Sequence, residues 1–326
     1  MFDPTVLLIL VVVLALAFDF SNGWHDSANA IATVVSTHVL SPGRAVLMAA
    51  VLNIAGAFMS TAVAKMIGGG IVEASMIQET TVIAALSGAI AWNLFTLILG
   101  LPTSSSHALI GGIIGGALAQ SGMAAVKLSG LQKVLEAMLL SPLVGFVLGY
   151  LLILVTYRVM FRVPRGAANR GFRRLQLISS GFMAFSHGAN DAQKAMGIIT
   201  LALVSTGAIS TVEVPIWVIL ACAVAMGLGT LAGGWRIIRT LGMRIVKLEP
   251  VHGFAAETSA ALILLGTAHF GMPVSTTHTI TTSIMGVGSA KRLSAVRWGV
   301  TMRIVYAWLF TLPGAGLVAY GVTLAF

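Results

Sequence analysis

Apolar positions in this chain fall in long unbroken blocks. The stretches 45–64, 81–101, 137–157, 195–212, 214–235 and 304–326 contain no Asp, Glu, Lys or Arg. Each is close to the ~20 residues a helix needs to cross a hydrocarbon core. No barrel-like alternation of apolar and polar positions accompanies them, so helices are the only way to satisfy the backbone in lipid. The pattern predicts an all-α polytopic membrane protein. The start, Met1 to Pro4, has no positive n-region, so the apolar run that follows is expected to stay as a membrane segment rather than be cleaved as a signal.

Composition agrees: 57% of the 326 residues are hydrophobic and 9% charged, against roughly 25% charged in soluble domains. A water-soluble fold is excluded. The 36 glycines suit close helix approach and helix breaks that line cavities. A lone Cys222 offers neither a disulfide nor a metal cluster.

The net charge of +9 is explained by where the basic residues lie. They cluster between apolar runs, densest over Arg158–Arg174, then Arg236–Lys247, then Lys291–Arg303. One membrane segment between neighbouring loops would place these clusters and Arg44 on one face, with Lys65, Lys127 and Lys133 on the other. The positive-inside rule makes the Arg-rich face cytoplasmic and puts both termini outside, in a cell-membrane protein.

The chain repeats itself. Phe20-Ser21-Asn22-Gly23-Trp24-His25-Asp26-Ser27-Ala28-Asn29-Ala30 aligns with Phe185-Ser186-His187-Gly188-Ala189-Asn190-Asp191-Ala192-Gln193-Lys194-Ala195. Gly100-Leu101-Pro102-Thr103-Ser104-Ser105-Ser106-His107 aligns with Gly271-Met272-Pro273-Val274-Ser275-Thr276-Thr277-His278. Both displacements are about half the chain, which predicts two repeats, 1–157 and 175–326, joined by a basic cytoplasmic linker, 158–174. Each half reads as five hydrophobic units, the first interrupted at its polar motif. An odd number of crossings inverts the second half, and an inverted-topology repeat places its substrate site at the repeat interface near the bilayer midplane. The short units 108–120 and 279–289 are either crossings or re-entrant hairpins with the Ser/Thr motif at the tip.

Asp26 and Asp191 fall at membrane depth, where a carboxylate is costly unless it is paired, binds a cation or faces water. Their recurrence at equivalent positions favours function over a structural ion pair or cap. Asn29 shares a helical face with Asp26, and Lys194 with Asp191. Carboxylate and amide oxygens are hard ligands of the kind alkali cations prefer. Lys194 either compensates Asp191 or attracts an anion. Glu257, inside the apolar run 251–270, reads as a cation ligand, a protonatable group or a structural partner.

The two Pro-Ser/Thr-His motifs each open a small-residue helix. A helix that restarts there offers unpaired N–H groups, a partial positive charge and several hydroxyl donors, a ready oxyanion site. Ordinary Ser/Thr N-capping is the alternative, and symmetry between the two motifs weighs against capping alone. The histidines show no zinc or copper spacing. Ser106-His107 has no identifiable oxyanion hole with an orienting carboxylate, so an enzyme is not expected.

These paired motifs resemble those of the inorganic phosphate transporter family, which includes sodium–phosphate symporters, over essentially the whole chain. The resemblance implies an inverted-repeat fold, a homodimer, and uptake of phosphate coupled to sodium or protons by alternating access, with no organic cofactor and no nucleic-acid partner. It assigns Ser104, Ser105, Ser106, Ser275, Thr276, Thr277 and Gln193 to phosphate. Asp26, Asn29 and Asp191 match its ion positions, and Glu257 is added to them from its depth. Two departures stand out: His25 occupies the place of the Asn that precedes the Asp of the second motif, and the central loop is too short for a large regulatory insert. A sulfate or related oxyanion permease and a passive channel are the rival readings.

Overall fold

Asp3 starts the first helix: its carboxylate accepts the Thr5 N–H at 2.8 Å, and Pro4 takes the first helical position. From there the computed structural model, which describes residues 3–326, is helical nearly throughout. The helices are α1 (Pro4–Ser36), α2 (Pro42–Ala57), α3 (Ala62–Gly69), α4 (Glu79–Leu99), α5 (Ser105–Ser121), α6 (Leu128–Val159), α7 (Arg165–Ser205), α8 (Ile216–Ala232), α9 (Trp235–Arg239), α10 (Pro250–His269), α11 (Thr276–Lys291) and α12 (Trp298–Leu324). Among the described residues, six helices are long and apolar enough to cross a membrane: α1, α4, α5 with the turn after it, α6, α10 and α12. Two bent pairs, α2 with α3 at 72° and α8 with the helical segment up to Arg244 at 61°, bring the number up to eight if each is one broken span. Large side chains such as Leu139, Ile178, Ile216 and Leu317 stand exposed on the outer surface, as lipid contact requires. This is a multi-pass membrane protein.

The helix breaks are displaced from where the sequence suggests. The first unit of each half is not interrupted: α1 and α7 run straight through their polar motifs. The breaks lie one unit later, at 58–61 and 233–234, and a side chain from the opposite half stabilises each restart. Gln193 Oε1 accepts the N–H groups of Val63 (2.8 Å) and Ala64 (3.2 Å) at the start of α3. Ser27 Oγ accepts the Gly234 N–H at 2.7 Å at the start of α9. The segment 158–174 is likewise mostly helical, since α6 continues to Val159 and α7 begins at Arg165.

Packing recurs between the halves. α1 lies against α8 as α7 does against α2, α4 against α5 as α10 against α11, and α12 against α5 as α6 against α11. In the last two pairs, small residues set the approach. A Cβ on Gly115 would overlap the Gly316 carbonyl oxygen, and one on the equivalent Gly286 would overlap that of Phe146. The halves therefore interlock, each supplying the surface on which the other's first helix packs.

Two apolar clusters sandwich a polar layer. One takes Val11, Ala15 and Phe18 from α1 and Ala192 to Leu203 from α7. The other takes Ala28 to Val35 from α1 and Met183 and Ala184 from α7. Both polar motifs lie between the clusters.

Candidate functional site

Along α1, Asp19, Asn22, Asp26, Asn29 and Thr33 recur at three- and four-residue steps and so share one face. His187, Asp191 and Lys194 do the same on α7. All eight side chains are fully buried. The chain then brings two turns to meet them. After α4, Gly100 adopts a left-handed backbone (φ 67°); after α10, Gly271 does the same (φ 65°). Each ends its helix without the steric cost another residue would bear. Pro102 and Pro273 follow, and the chain restarts as α5 and α11, so both Ser/Thr motifs sit at hairpin tips.

At the tips, Ser104 and Ser275 act as helix caps, accepting the His107 and His278 N–H groups at 3.2 and 3.1 Å. The next residues face the aspartates. Ser105 Oγ donates to Asp26 Oδ2 (2.5 Å) and Thr277 Oγ1 to Asp26 Oδ1 (3.3 Å). Thr276 Oγ1 donates to Asp191 Oδ2 (3.2 Å). Asn29 Nδ2 donates to both Thr276 (3.2 Å) and Thr277 (2.9 Å). Ser106 joins the tips by donating to the Val274 carbonyl at 3.2 Å. The rings of His107 and His278 meet edge-on at 4.7 Å, and His278 stacks on Trp308 at 3.9 Å.

The two carboxylates share one small volume. Ligand atoms of Asp26, His187 and Asp191 all lie within 4.8 Å of one another. Sequence spacing does not show the whole group, because Asp26 comes from α1 and His187 and Asp191 from α7. Two negative charges at that separation repel by on the order of 3 kcal/mol at an effective dielectric of about 20. Nitrogen groups lie close by: His25 Nδ1 is 2.7 Å from Asp26 Oδ1, and the Lys194 ammonium is 2.7 Å from Asp191 Oδ1. His187 has a fixed tautomer. Thr230 donates to the Met226 carbonyl and accepts from Asn53 Nδ2, which leaves Asn53 Oδ1 to accept from His187 Nδ1 at 3.1 Å. His187 Nε2, 3.3 Å from Asp191, therefore faces the carboxylates with a lone pair in the neutral ring, or with a second proton in the imidazolium.

Several oxygens accept no hydrogen bond from the described residues: Asn29 Oδ1, Asn190 Oδ1 and both carboxylate oxygens of Asp19. They are hard acceptors in a polar layer, the donor set an alkali cation takes. Asp19 is absent from the sequence reading. Its signal was present, seven residues before Asp26 on the same face, but it was obscured by its position at the end of the first apolar run.

Two other candidates lie apart from this centre. Glu257 accepts from Thr33 (2.5 Å), Gln176 (3.1 Å) and Ser179, so it anchors α1, α7 and α10 to one another. Gln193 uses its amide oxygen on α3 and its Nε2 on the Ala189 carbonyl (2.5 Å), so in this structure both ends of the amide are engaged by backbone.

Residues 22–319, which include every element just described except Asp19, match the profile of the "Phosphate transporter family". The chain belongs to the phosphate transporter family. Among its relatives, a Bacillus subtilis protein named "Probable low-affinity inorganic phosphate transporter" is 47% identical over 97% of this chain and 96% of its own length. A Mycobacterium bovis protein of the same name is 50% identical over 96% of this chain and 76% of its own. A solved structure titled "The sodium-dependent phosphate transporter" superposes with a TM-score of 0.89, at 26% identity, covering 98% of both chains. A transporter rather than an enzyme is thereby established, and its family's substrate is phosphate. None of these relatives is named for sulfate.

Proposed function

We propose that this transporter carries inorganic phosphate into the cell together with sodium ions or protons, by alternating access between two inverted repeats. The observation that carries the proposal is the meeting of both hydroxyl-bearing hairpin tips on the paired carboxylates Asp26 and Asp191. The relative titled as sodium-dependent supports sodium as the coupling ion.

The physical need for coupling is direct. Phosphate near neutral pH carries between one and two negative charges, and an inside-negative potential opposes its entry by ~2.3 kcal/mol per charge per 100 mV. Cations held at Asp26, Asn29 and Asp191 offset that charge and the repulsion between the carboxylates. With the carboxylates neutralised, phosphate docks against Ser105, Ser106, Thr276 and Thr277 and the N-termini of α5 and α11, with Ser104 and Ser275 keeping those ends ordered. Phosphate also retains an acidic O–H that needs an acceptor, which a carboxylate supplies and which sulfate does not require.

The inverted arrangement is supported by chain direction. α1 meets the Val11–Phe18 cluster before its polar motif, whereas α7 meets the same cluster after its own. An exit path is supported at the other end of the stripe: beyond Asn29 and Thr33, a pocket of about 580 Å³ is lined by Thr37, His38, Arg173, Lys247 and Arg297. It gathers one residue from each of the three basic clusters, which the positive-inside rule makes cytoplasmic. Glu257 borders that path through Thr33. A homodimer, with both termini outside the cell membrane, completes the proposal.

The test is reconstitution in liposomes with imposed sodium or pH gradients, measuring labelled phosphate and sulfate entry separately. Cation-dependent accumulation of phosphate supports the reading. Entry that never exceeds equilibrium under either gradient would replace it with a channel.

A further inference from the structure

The geometry points to Lys194 as a cation built into the chain: against Asp191 Oδ1 it occupies the place that a transported cation takes in the equivalent position of the first half, and it leaves Asp191 Oδ2 to the mobile cation proposed above. This inference rests on the symport reading above.

The internal alignment pairs Asp26 with Asp191 and, three residues on, Asn29 with Lys194. The two positions do opposite things. Asn29 leans its amide nitrogen on the Thr276 and Thr277 hydroxyls and leaves its oxygen without a donor among the described residues, so the first half presents Asp26 and Asn29 oxygens to a cation. In the second half the equivalent side chain ends in an ammonium group 2.7 Å from Asp191 Oδ1. That contact is a short ion pair rather than an aligned hydrogen bond, and Lys194 Nζ has no other partner among the described residues. Both side chains are fully buried.

Burying an unpaired ammonium is prohibitively costly, and a lysine with one carboxylate contact and no further acceptor is a poor structural bridge. A compact point charge on a long stem is, however, what is needed to neutralise a carboxylate without leaving the protein. Asp26 and Asp191 together bring two negative charges, and Lys194 offsets one of them permanently. The site thus needs one fewer mobile cation than two Asp–Asn halves would, and the charge carried with each phosphate falls by one. Asp19 lies within electrostatic reach of both Lys194 and Asp191. Its carboxylate feels the Lys194 charge, so each sodium count is repeated in an Asp19→Asn background, where Asp26 and Asp191 are the carboxylates that Lys194 faces.

The experiment compares wild type, Lys194→Asn and the reciprocal Asn29→Lys. Each is purified, checked for monodispersity, and assayed for equilibrium binding of radioactive sodium and, in liposomes, for the ratio of sodium to phosphate entering. Lys194→Asn is expected to bind one more sodium per chain than wild type and to raise the flux ratio by one. Asn29→Lys, which sets an ammonium against Asp26, is expected to bind one fewer. Equal sodium binding in wild type and a monodisperse Lys194→Asn overturns the inference. If that variant does not fold, unchanged binding in Asn29→Lys overturns it equally. Wild-type protein that moves no phosphate under any gradient would instead sink the symport reading itself, a different result from an unchanged ratio in active protein.

Discussion

Thr277 donates its hydroxyl proton to Asp26, 251 residues away and in the opposite half of the chain. The contact ties a hydroxyl proposed to donate to phosphate to a carboxylate proposed to hold a cation, so that on the symport reading filling one position alters the other. That reading predicts cooperative binding of phosphate and cation without any long-range relay. Thr277→Ala and Thr276→Ala should each raise the KM for phosphate and the half-saturating cation concentration together. A hydrogen bond to a charged group is worth about 1.5–3 kcal/mol, or roughly ten- to a hundredfold. Uptake kinetics at several fixed cation concentrations would show it; a KM change at unchanged cation dependence contradicts the linkage.

Asp26→Asn and Asp191→Asn keep size and hydrogen-bonding capacity while removing the charge. Each should abolish cation-dependent uptake with the protein still inserted in the membrane. Liposome flux with quantified protein is the measurement, and transport at the wild-type level in either variant refutes the assigned role.

Gln193 separates two readings of one motif. If its task is to cap α3, Gln193→Ala frees two N–H groups at the restart, at about 1–3 kcal/mol each. Thermal stability in detergent should then fall more than phosphate affinity. A large KM increase in a protein of unaltered stability would instead return Gln193 to the phosphate site.

Gly115 and Gly286 hold equivalent packing positions on the hairpins. Gly286→Leu must push α11 off α6, where the Phe146 carbonyl leaves no room. Overpacking of this kind typically costs about 1–3 kcal/mol and more against rigid backbone. Size-exclusion profiles and melting temperature should report a destabilised or aggregated protein, whereas leucine at the surface position Gly299, which has open space around it, should be tolerated.

Much of this architecture is legible in the residues. Long uncharged runs mark the membrane helices because lipid offers the backbone no alternative partner, and Pro102 and Pro273 mark the hairpin tips because proline ends one helix before the next begins. The duplicated aspartates stand out by their cost. What the sequence does not show is which side chains meet. Gln193 is also found capping the restart of α3, and Glu257 also gathers Thr33, Gln176 and Ser179 around it, contacts that spacing along the chain does not reveal. The breaks were misplaced for the same reason: the motif in α1 is rich in small and polar residues, yet its partners lie on other helices and its backbone stays helical. His187 joins Asp26 only through the packing of α1 on α7.

The reciprocal packing of α1 on α8 and α2 on α7 has a consequence for biogenesis. When a ribosome has just completed Val159, α1 has been made but α7 and α8, which form most of the surface it settles on, have not. Until the later helices arrive, Asp26 and its polar neighbours have to wait in the membrane or in the insertion machinery without their final company. Assembly is therefore a late event for the whole chain, and a nascent protein truncated at its midpoint should be a substrate for quality control rather than a folded half.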